Sequence, residues 1–164
     1  MTSLFLMVNS ACNIACKYCF YTTGYEKRSR DRILPRQAGH VAKRIAEARF
    51  GTVILTGGDP LHSVHKKETY LLVSALKAEV LRVVINTSAA YLTERDLDRL
   101  IELAVDRVDI SIDSHDSAVH DAQRGRHSDA VQAICGLLQR GMSLSTTTVV
   151  TARNAPTLTQ TIEW

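Results

Sequence analysis

The sequence predicts an α/β fold built on a parallel sheet, and three observations carry that prediction. Short apolar runs of strand length alternate with amphipathic stretches of helix length along the whole chain. Polar motifs fall just after the apolar runs, where open parallel sheets place their sites. The 164 residues suit about one domain with a two-layer core. Alternation of this kind implies right-handed βαβ units.

Leu4 to Val8 is the first strand, and a cysteine-bearing loop follows its C-terminal end. After a basic connector, Pro35 to Arg49 reads as helix. Ala38, Val41, Ala42, Ile45 and Ala46 make its apolar stripe, and Pro35 suits a first helical turn. Thr52 to Leu55 is a buried strand ending in Thr56-Gly57-Gly58-Asp59-Pro60. Lys67 to Glu79 is the second helix, and Arg82 to Ile85 the third strand. Thr93 to Ala104 is a helix opened by a Thr-x-x-Asp cap, with Leu97, Leu100, Ile101 and Ala104 on one face. Arg107 to Ile112 is the fourth strand, Asp129 to Arg140 a helix stopped by Gly141, and Leu144 to Val150 the fifth strand. Ala155 to Trp164 begins a further helix, with Thr157 available as its cap. The cysteine loop, the Gly-Gly-Asp turn, Asn86-Thr87 and Ser111–Asp113 then share one rim of the sheet.

At 45% hydrophobic and 23% charged residues the composition is ordinary globular material. A net charge of +3 is too mild to argue for a nucleic-acid partner. No apolar run approaches the roughly 18 residues of a membrane span. Leu4 to Val8 precedes Ser10-Ala11-Cys12 in the manner of a secretion or lipoprotein signal. No Lys or Arg stands ahead of it, however, and its five consecutive apolar residues fall short of a signal core. It reads as a strand, and the protein as cytoplasmic.

Cys12-Asn13-Ile14-Ala15-Cys16-Lys17-Tyr18-Cys19 is a C-x3-C-x2-C run. Thiols so close together cannot all serve disulfides, and in a reducing compartment they read as metal or catalytic chemistry. A structural zinc site needs a fourth ligand. The first His after the run is His40, and the remaining cysteine is Cys135. A closed iron–sulfur cube also takes four ligands, so three leave one iron free to bind something else. A four-iron cluster with an open iron is the reading these residues favour.

With Tyr18 just ahead of the third cysteine, the run resembles the cluster loop of the radical S-adenosylmethionine (radical SAM) superfamily. The resemblance spans nearly the whole chain and implies a partial (β/α)6 barrel with about five βα units present. It implies a [4Fe-4S] cluster on Cys12, Cys16 and Cys19, whose open iron chelates the methionine end of S-adenosylmethionine. Reductive cleavage of that cofactor would release a 5′-deoxyadenosyl radical that abstracts hydrogen from a substrate. Gly57-Gly58-Asp59-Pro60 resembles the Gly-Gly-Glu turn that holds the methionine amino group, with Asp one methylene shorter. Glycines let backbone approach a ligand closely, and a carboxylate can pair with an ammonium. Taken alone, such a sequence is simply a tight turn.

Ser111 and Asp113 end the fourth strand, and His120-Asp121-Ala122-Gln123-Arg124-Gly125 resembles the matching stretch of the SPASM-type, peptide-modifying branch. That likeness assigns ribose and methionine-carboxylate contacts to Ser111 and Arg124; a guanidinium forks well onto a carboxylate. Tyr18, Asn86 and Asp113 complete the expected cofactor-binding set. Alternatively Asp113 caps a turn and Arg124 is solvated surface. The Thr147–Thr151 region and Asn154 are also similar to that branch.

Cys135 lies with Val131, Ile134 and Leu138 at helical spacing and reads as a small core residue. The six histidines fall largely in predicted loops or loop edges. Lys27, Arg28, Arg30, Arg32 and Arg36 form a basic connector that is either solvated or docks an acidic electron donor such as flavodoxin or ferredoxin. The resemblance implies an enzyme acting on a peptide, protein or small natural-product precursor. It also leaves the barrel one unit short, to be completed by further chain or by a partner subunit. Two competing readings are a non-catalytic or split cluster-binding module and a zinc-binding structural domain.

Overall fold

The computed structural model describes residues 2–19 and 31–164. Five strands, β1 (Ser3–Asn9), β2 (Thr52–Gly57), β3 (Arg82–Thr87), β4 (Arg107–Ser111) and β5 (Leu144–Thr147), form one parallel sheet in sequence order. Each strand therefore pairs with the next after a single crossover, and among the described residues the sheet does not close. The crossovers hold α1 (Ala38–Glu47), α2 (Lys66–Ala78), α3 (Glu94–Glu102), α4 (Ser117–Gln123) and α5 (His127–Gln139), and α6 (Leu158–Glu163) follows β5. This is the parallel α/β architecture of a partial barrel. Among the described residues no helix is long and apolar enough to cross a membrane.

Strand alternation decides where the core sits. Val53, Leu55, Val83, Ile85, Val108 and Ile110 point to the helices and pack with Leu72, Val73, Leu76, Leu97, Leu100 and Leu137. The opposite face is less covered, with Phe5 67% and Met7 50% exposed on β1.

Local signals account for most boundaries. Pro35 opens a 3-10 turn (Pro35–Gln37) ahead of α1, whose Ala38, Ala42 and Ile45 are buried. Thr93 caps α3 reciprocally: its hydroxyl accepts from Asp96 N–H while its own N–H donates to Asp96 Oδ2 at 2.9 Å. Gly141, at φ +72, follows the end of α5.

Several expectations need correction. Ile101 and Ala104 are exposed, and Leu103 is buried in their place. The helix ends at Glu102, and Ala104 turns back with φ +52, so the expected stripe loses its last step. Helix α4 was not expected; Asp116 caps it by accepting from the N–H groups of Ala118 and Val119. Strand β5 stops at Thr147 rather than Val150, because Val149 N–H turns to donate to Asp113 Oδ1 at 3.1 Å. Thr157 gives α6 no side-chain cap; its hydroxyl donates to the Asn154 carbonyl instead. Cys135 is exposed rather than in the core. The buried face of α5 is Ala130, Ala133, Gly136 and Leu137, one position round from the predicted stripe. Of the basic connector, Lys27, Arg28 and Arg30 lie outside the described residues, Arg32 pairs with Glu68 at 3.4 Å, and Arg36 is exposed.

Candidate functional site

The cysteine loop leaves β1 through Asn9, which is 5% exposed and ordered from both ends of its amide. Asn9 Oδ1 accepts from Ala11 N–H at 2.9 Å, and Nδ2 donates to the Asp59 carbonyl at 3.1 Å. The Gly-Gly turn after β2 lies directly against this segment. Gly58 N–H donates to the Asn9 carbonyl and Asp59 N–H to the Ala11 carbonyl, at 2.9 and 2.7 Å. No side chain fits between the two strands of backbone. A Cβ on Gly57 would sit 2.3 Å from the Asn9 carbonyl oxygen, and one on Gly58 2.2 Å from that of Ala11. Gly57 also holds φ +130, a region open to glycine and closed to most other residues. The close approach that the two glycines permit is thus, first of all, to the cysteine loop.

The far side of the loop is tied to β4 and α4. Lys17 N–H donates to the Gln123 carbonyl at 2.9 Å. The Tyr18 hydroxyl donates to Asp113 in a short hydrogen bond. Burial, reinforced by that bond, raises the Tyr18 phenol well above its ordinary range, so it stays a donor. Asn13 links the loop to two others: its Nδ2 donates to the Ala90 carbonyl, and its Oδ1 accepts from Ser63.

Nine of the predicted site residues surround one cavity of about 370 Å³: Cys12, Cys16, Tyr18, Cys19, Gly57, Gly58, Asn86, Ser111 and Arg124. That volume is in the range of small-molecule sites. Ser111 lies 3.5 Å from Asn86 Oδ1, a loose contact between neighbouring strand ends. Thr87, expected on the same rim as Asn86, also lines the cavity, and so does Ser88, which was not predicted. Their hydroxyls follow an apolar strand immediately, the same signal that marked Asn86.

Asp59 and Asp113 are the two that do not line it. Asp59 is 1% exposed. Its Oδ1 accepts from Leu61 N–H and the Thr87 hydroxyl, and its Oδ2 from the N–H and hydroxyl of Ser88. In this structure every acceptor position of that carboxylate is taken within the protein. Asp113 is likewise enclosed, accepting from Tyr18, Val149 and both Nε and Nη2 of Arg124. Neither alternative reading of Arg124 and Asp113 describes what is found: Asp113 is no turn cap, and the Arg124 side chain is only 10% exposed. His120, assigned no role from the sequence, is buried in α4 and accepts from Asp113 N–H at Nδ1.

None of Cys12, Cys16 and Cys19 is in a disulfide. Burial pushes Cys12 up to about 12 and also raises Cys16, where the nearby Arg124 guanidinium works against it. Unligated, these two thiols are neutral, so metal binding must displace protons. Among the described residues no three His, Cys, Asp or Glu side chains converge on a point that could hold a single metal ion. Three thiols around a shared cavity instead suit a cluster, in which each thiolate takes a different iron. Among the described residues Arg124 is the one charged side chain lining that cavity, and the Asp113 carboxylate outweighs the penalty of burial and holds it ionised.

Comparison with known proteins agrees. An AdoMet-dependent heme synthase of Oleidesulfovibrio alaskensis is 28% identical over 152 residues, covering 91% of this chain and 38% of that protein. A GTP 3',8-cyclase of Mycobacterium marinum is 29% identical over 147 residues, covering 87% of this chain and 40% of that protein. The structure of SuiB from Streptococcus suis bound to S-adenosylmethionine superposes with a TM-score of 0.83 at 15% identity, over 99% of this chain and 37% of that one. The chain therefore spans about two fifths of the length of these relatives. The family model described as Radical SAM superfamily matches residues 6–164, and the chain belongs to that superfamily.

Proposed function

We propose that this chain forms the cofactor-cleaving core of an enzyme that starts radical chemistry on a substrate by hydrogen abstraction. Members of the superfamily use a [4Fe-4S] cluster together with S-adenosylmethionine. The observation that carries the proposal is the shared cavity. It brings three cysteine thiols, a Gly-Gly turn, two strand-end hydroxyls and one half-paired guanidinium around a space of about 370 Å³. Cys12, Cys16 and Cys19 would hold the cluster, and the cluster would supply the electron that cleaves the sulfonium of S-adenosylmethionine.

The remaining residues position and shield. Arg124, fixed by Asp113, offers its free N–H groups to a carboxylate. Gly57 and Gly58 leave backbone open to the methionine end, while Ser111 and Asn86 offer groups to the ribose. Asp59 acts through the wall, by fixing the Thr87 and Ser88 hydroxyls at its edge.

The substrate we propose is a peptide or other natural-product precursor. The likeness to SuiB, which has also been solved bound to its precursor peptide SuiA, supports this. The curated relatives are named for heme synthesis and GTP cyclisation, and they favour a second reading in which the substrate is a tetrapyrrole or nucleotide. The electron donor is a small acidic carrier of the flavodoxin or ferredoxin class. A partner subunit or further chain would complete the sheet beyond β5.

Anaerobic reconstitution with iron and sulfide, followed by reduction in the presence of S-adenosylmethionine, tests the core of this reading. About four irons per chain and release of 5′-deoxyadenosine are expected. A loaded cluster that leaves S-adenosylmethionine intact would mean a cluster-binding module rather than an enzyme.

A further inference from the structure

We propose that Asp113 is a positioning residue for the cofactor, acting through Arg124 without touching the cofactor itself. The proposal rests on the reading of the cavity as an S-adenosylmethionine site. Four donors converge on this one carboxylate. Arg124 Nε meets Oδ2 and Arg124 Nη2 meets Oδ1, both at 3.2 Å. Val149 N–H reaches Oδ1 at 3.1 Å, and the Tyr18 hydroxyl reaches Oδ2. The Asp113 side chain is 0% exposed and is absent from the cavity wall. It has neither an acceptor nor a surface left for a ligand.

Its partners do have both. Arg124 lines the cavity, and its Nη1 makes no hydrogen bond among the described residues. A guanidinium on a flexible stem loses much rotamer freedom when it grips a ligand, and a fork already locked onto a buried carboxylate has lost that freedom beforehand. Tyr18, between Cys16 and Cys19, donates its hydroxyl to the same carboxylate. The guanidinium also lies 5.6 Å over the Tyr18 ring, which holds the two partners in register. The backbone of Asp113 is fixed as well, by His120 Nδ1 on its N–H and Asn154 Nδ2 on its carbonyl.

A double-mutant cycle separates positioning from general support. S-adenosylmethionine affinity is measured by anaerobic calorimetry on the reconstituted protein and on Asp113→Asn, Arg124→Ala and the double variant. All four should take up full iron, because the three cysteines are untouched. Asp113→Asn should weaken cofactor binding about tenfold or more in the parent, yet less than about twofold once Arg124 is gone. Equal losses in both backgrounds, or no loss in the parent, would overturn the proposal while leaving the cofactor site intact. A wild-type protein that loads iron and fails to bind S-adenosylmethionine would overturn the site reading and this proposal with it. Should Asp113→Asn not fold, Asp113→Glu keeps the charge, shifts the fork by one methylene and must show the same non-additivity. Arg124→Lys replaces Arg124→Ala on the same terms.

Discussion

The backbone N–H of Asp113 donates to Nδ1 of His120 at 3.1 Å, and the opposite ring nitrogen, Nε2, donates to the Gly125 carbonyl at 3.2 Å. This pair of bonds admits one tautomer of the neutral imidazole. A protonated ring would carry a hydrogen on both nitrogens and present one to an N–H that needs an acceptor.

A pH dependence of stability follows. Burial lowers the His120 pKa from its ordinary 6.5, with Asp113 pulling the other way. The unfolded chain therefore binds a proton that the folded chain refuses. Stability from this residue is fully present above pH 6.5 and is lost as the pH falls through the lowered folded value. His120→Asn keeps an acceptor near the Nδ1 position and removes the titration. Melting temperatures measured across this window should fall less steeply for the variant than for the parent. Parallel curves would show that His120 is not the group responsible.

The cysteines divide into two kinds. Replacing Cys12, Cys16 or Cys19 with Ala should abolish cluster assembly, because two thiolates do not retain a cube that needs three anchors. Full iron and sulfide content in Cys16→Ala would contradict the assignment. Cys135 is exposed. Its replacement by Ala should leave cluster content unchanged and shift stability by no more than about 0.5 kcal/mol either way.

The Gly-Gly-Asp turn gives a third prediction, on folding rather than binding. Gly58→Ala places a methyl group 2.2 Å from a backbone oxygen that cannot move without displacing the cysteine loop. A loss of roughly 1–3 kcal/mol is expected, together with poorer iron retention. Asp59→Asn turns an amide donor toward Thr87 and Ser88, which already donate there, and should destabilise by about 1–3 kcal/mol. Asp59→Glu must force an extra methylene into a site that is 1% exposed, and should fare no better. Unchanged melting temperatures for both Asp59 variants would show that the carboxylate is dispensable to the turn.

How far the sequence could be read is decided by the range of each interaction. The sheet was legible because apolar strands announce themselves over a few residues. So was the Thr93 cap, whose partner Asp96 stands three positions on. The cysteine spacing placed three thiols around one cavity by itself. The surroundings of Asp59 were not legible, because its partners Thr87 and Ser88 are 28 and 29 residues away and nothing local announces them. Cys135 was misread because α5 buries a face of small residues. Gly136 packs so close that a Cβ there would stand 2.6 Å from Leu97 Cδ1. That close approach turns Ala130, Ala133, Gly136 and Leu137 inward, while Val131 and Ile134 pack only partly and Leu138 is exposed. Helix α4 was readable in principle, since Asp116 supplies an ordinary cap at its start.

That displaced face of α5 leads to the last prediction. Val131, Ile134, Cys135 and Leu138 line a groove of about 550 Å³ with Ile112, Ile162 and Trp164, beside Thr146 of β5 and Thr148 just after it. Leu138, Ile162 and Trp164 are 58%, 77% and 59% exposed. Strand β5 pairs with β4 on one side, and among the described residues no strand pairs with its other side. Unpaired backbone groups along an apolar groove favour association with another chain. A chain of these 164 residues, expressed by itself, should therefore self-associate in a concentration-dependent way. Leu138→Glu and Ile162→Glu place charges in the groove without touching the cysteine loop, and should shift the chain toward monomer while leaving iron uptake unchanged. Size-exclusion chromatography with light scattering across a dilution series decides the matter. A parent chain that stays monomeric at the highest concentration, or glutamate variants that associate as strongly as the parent, would show that this face is not the sticky one.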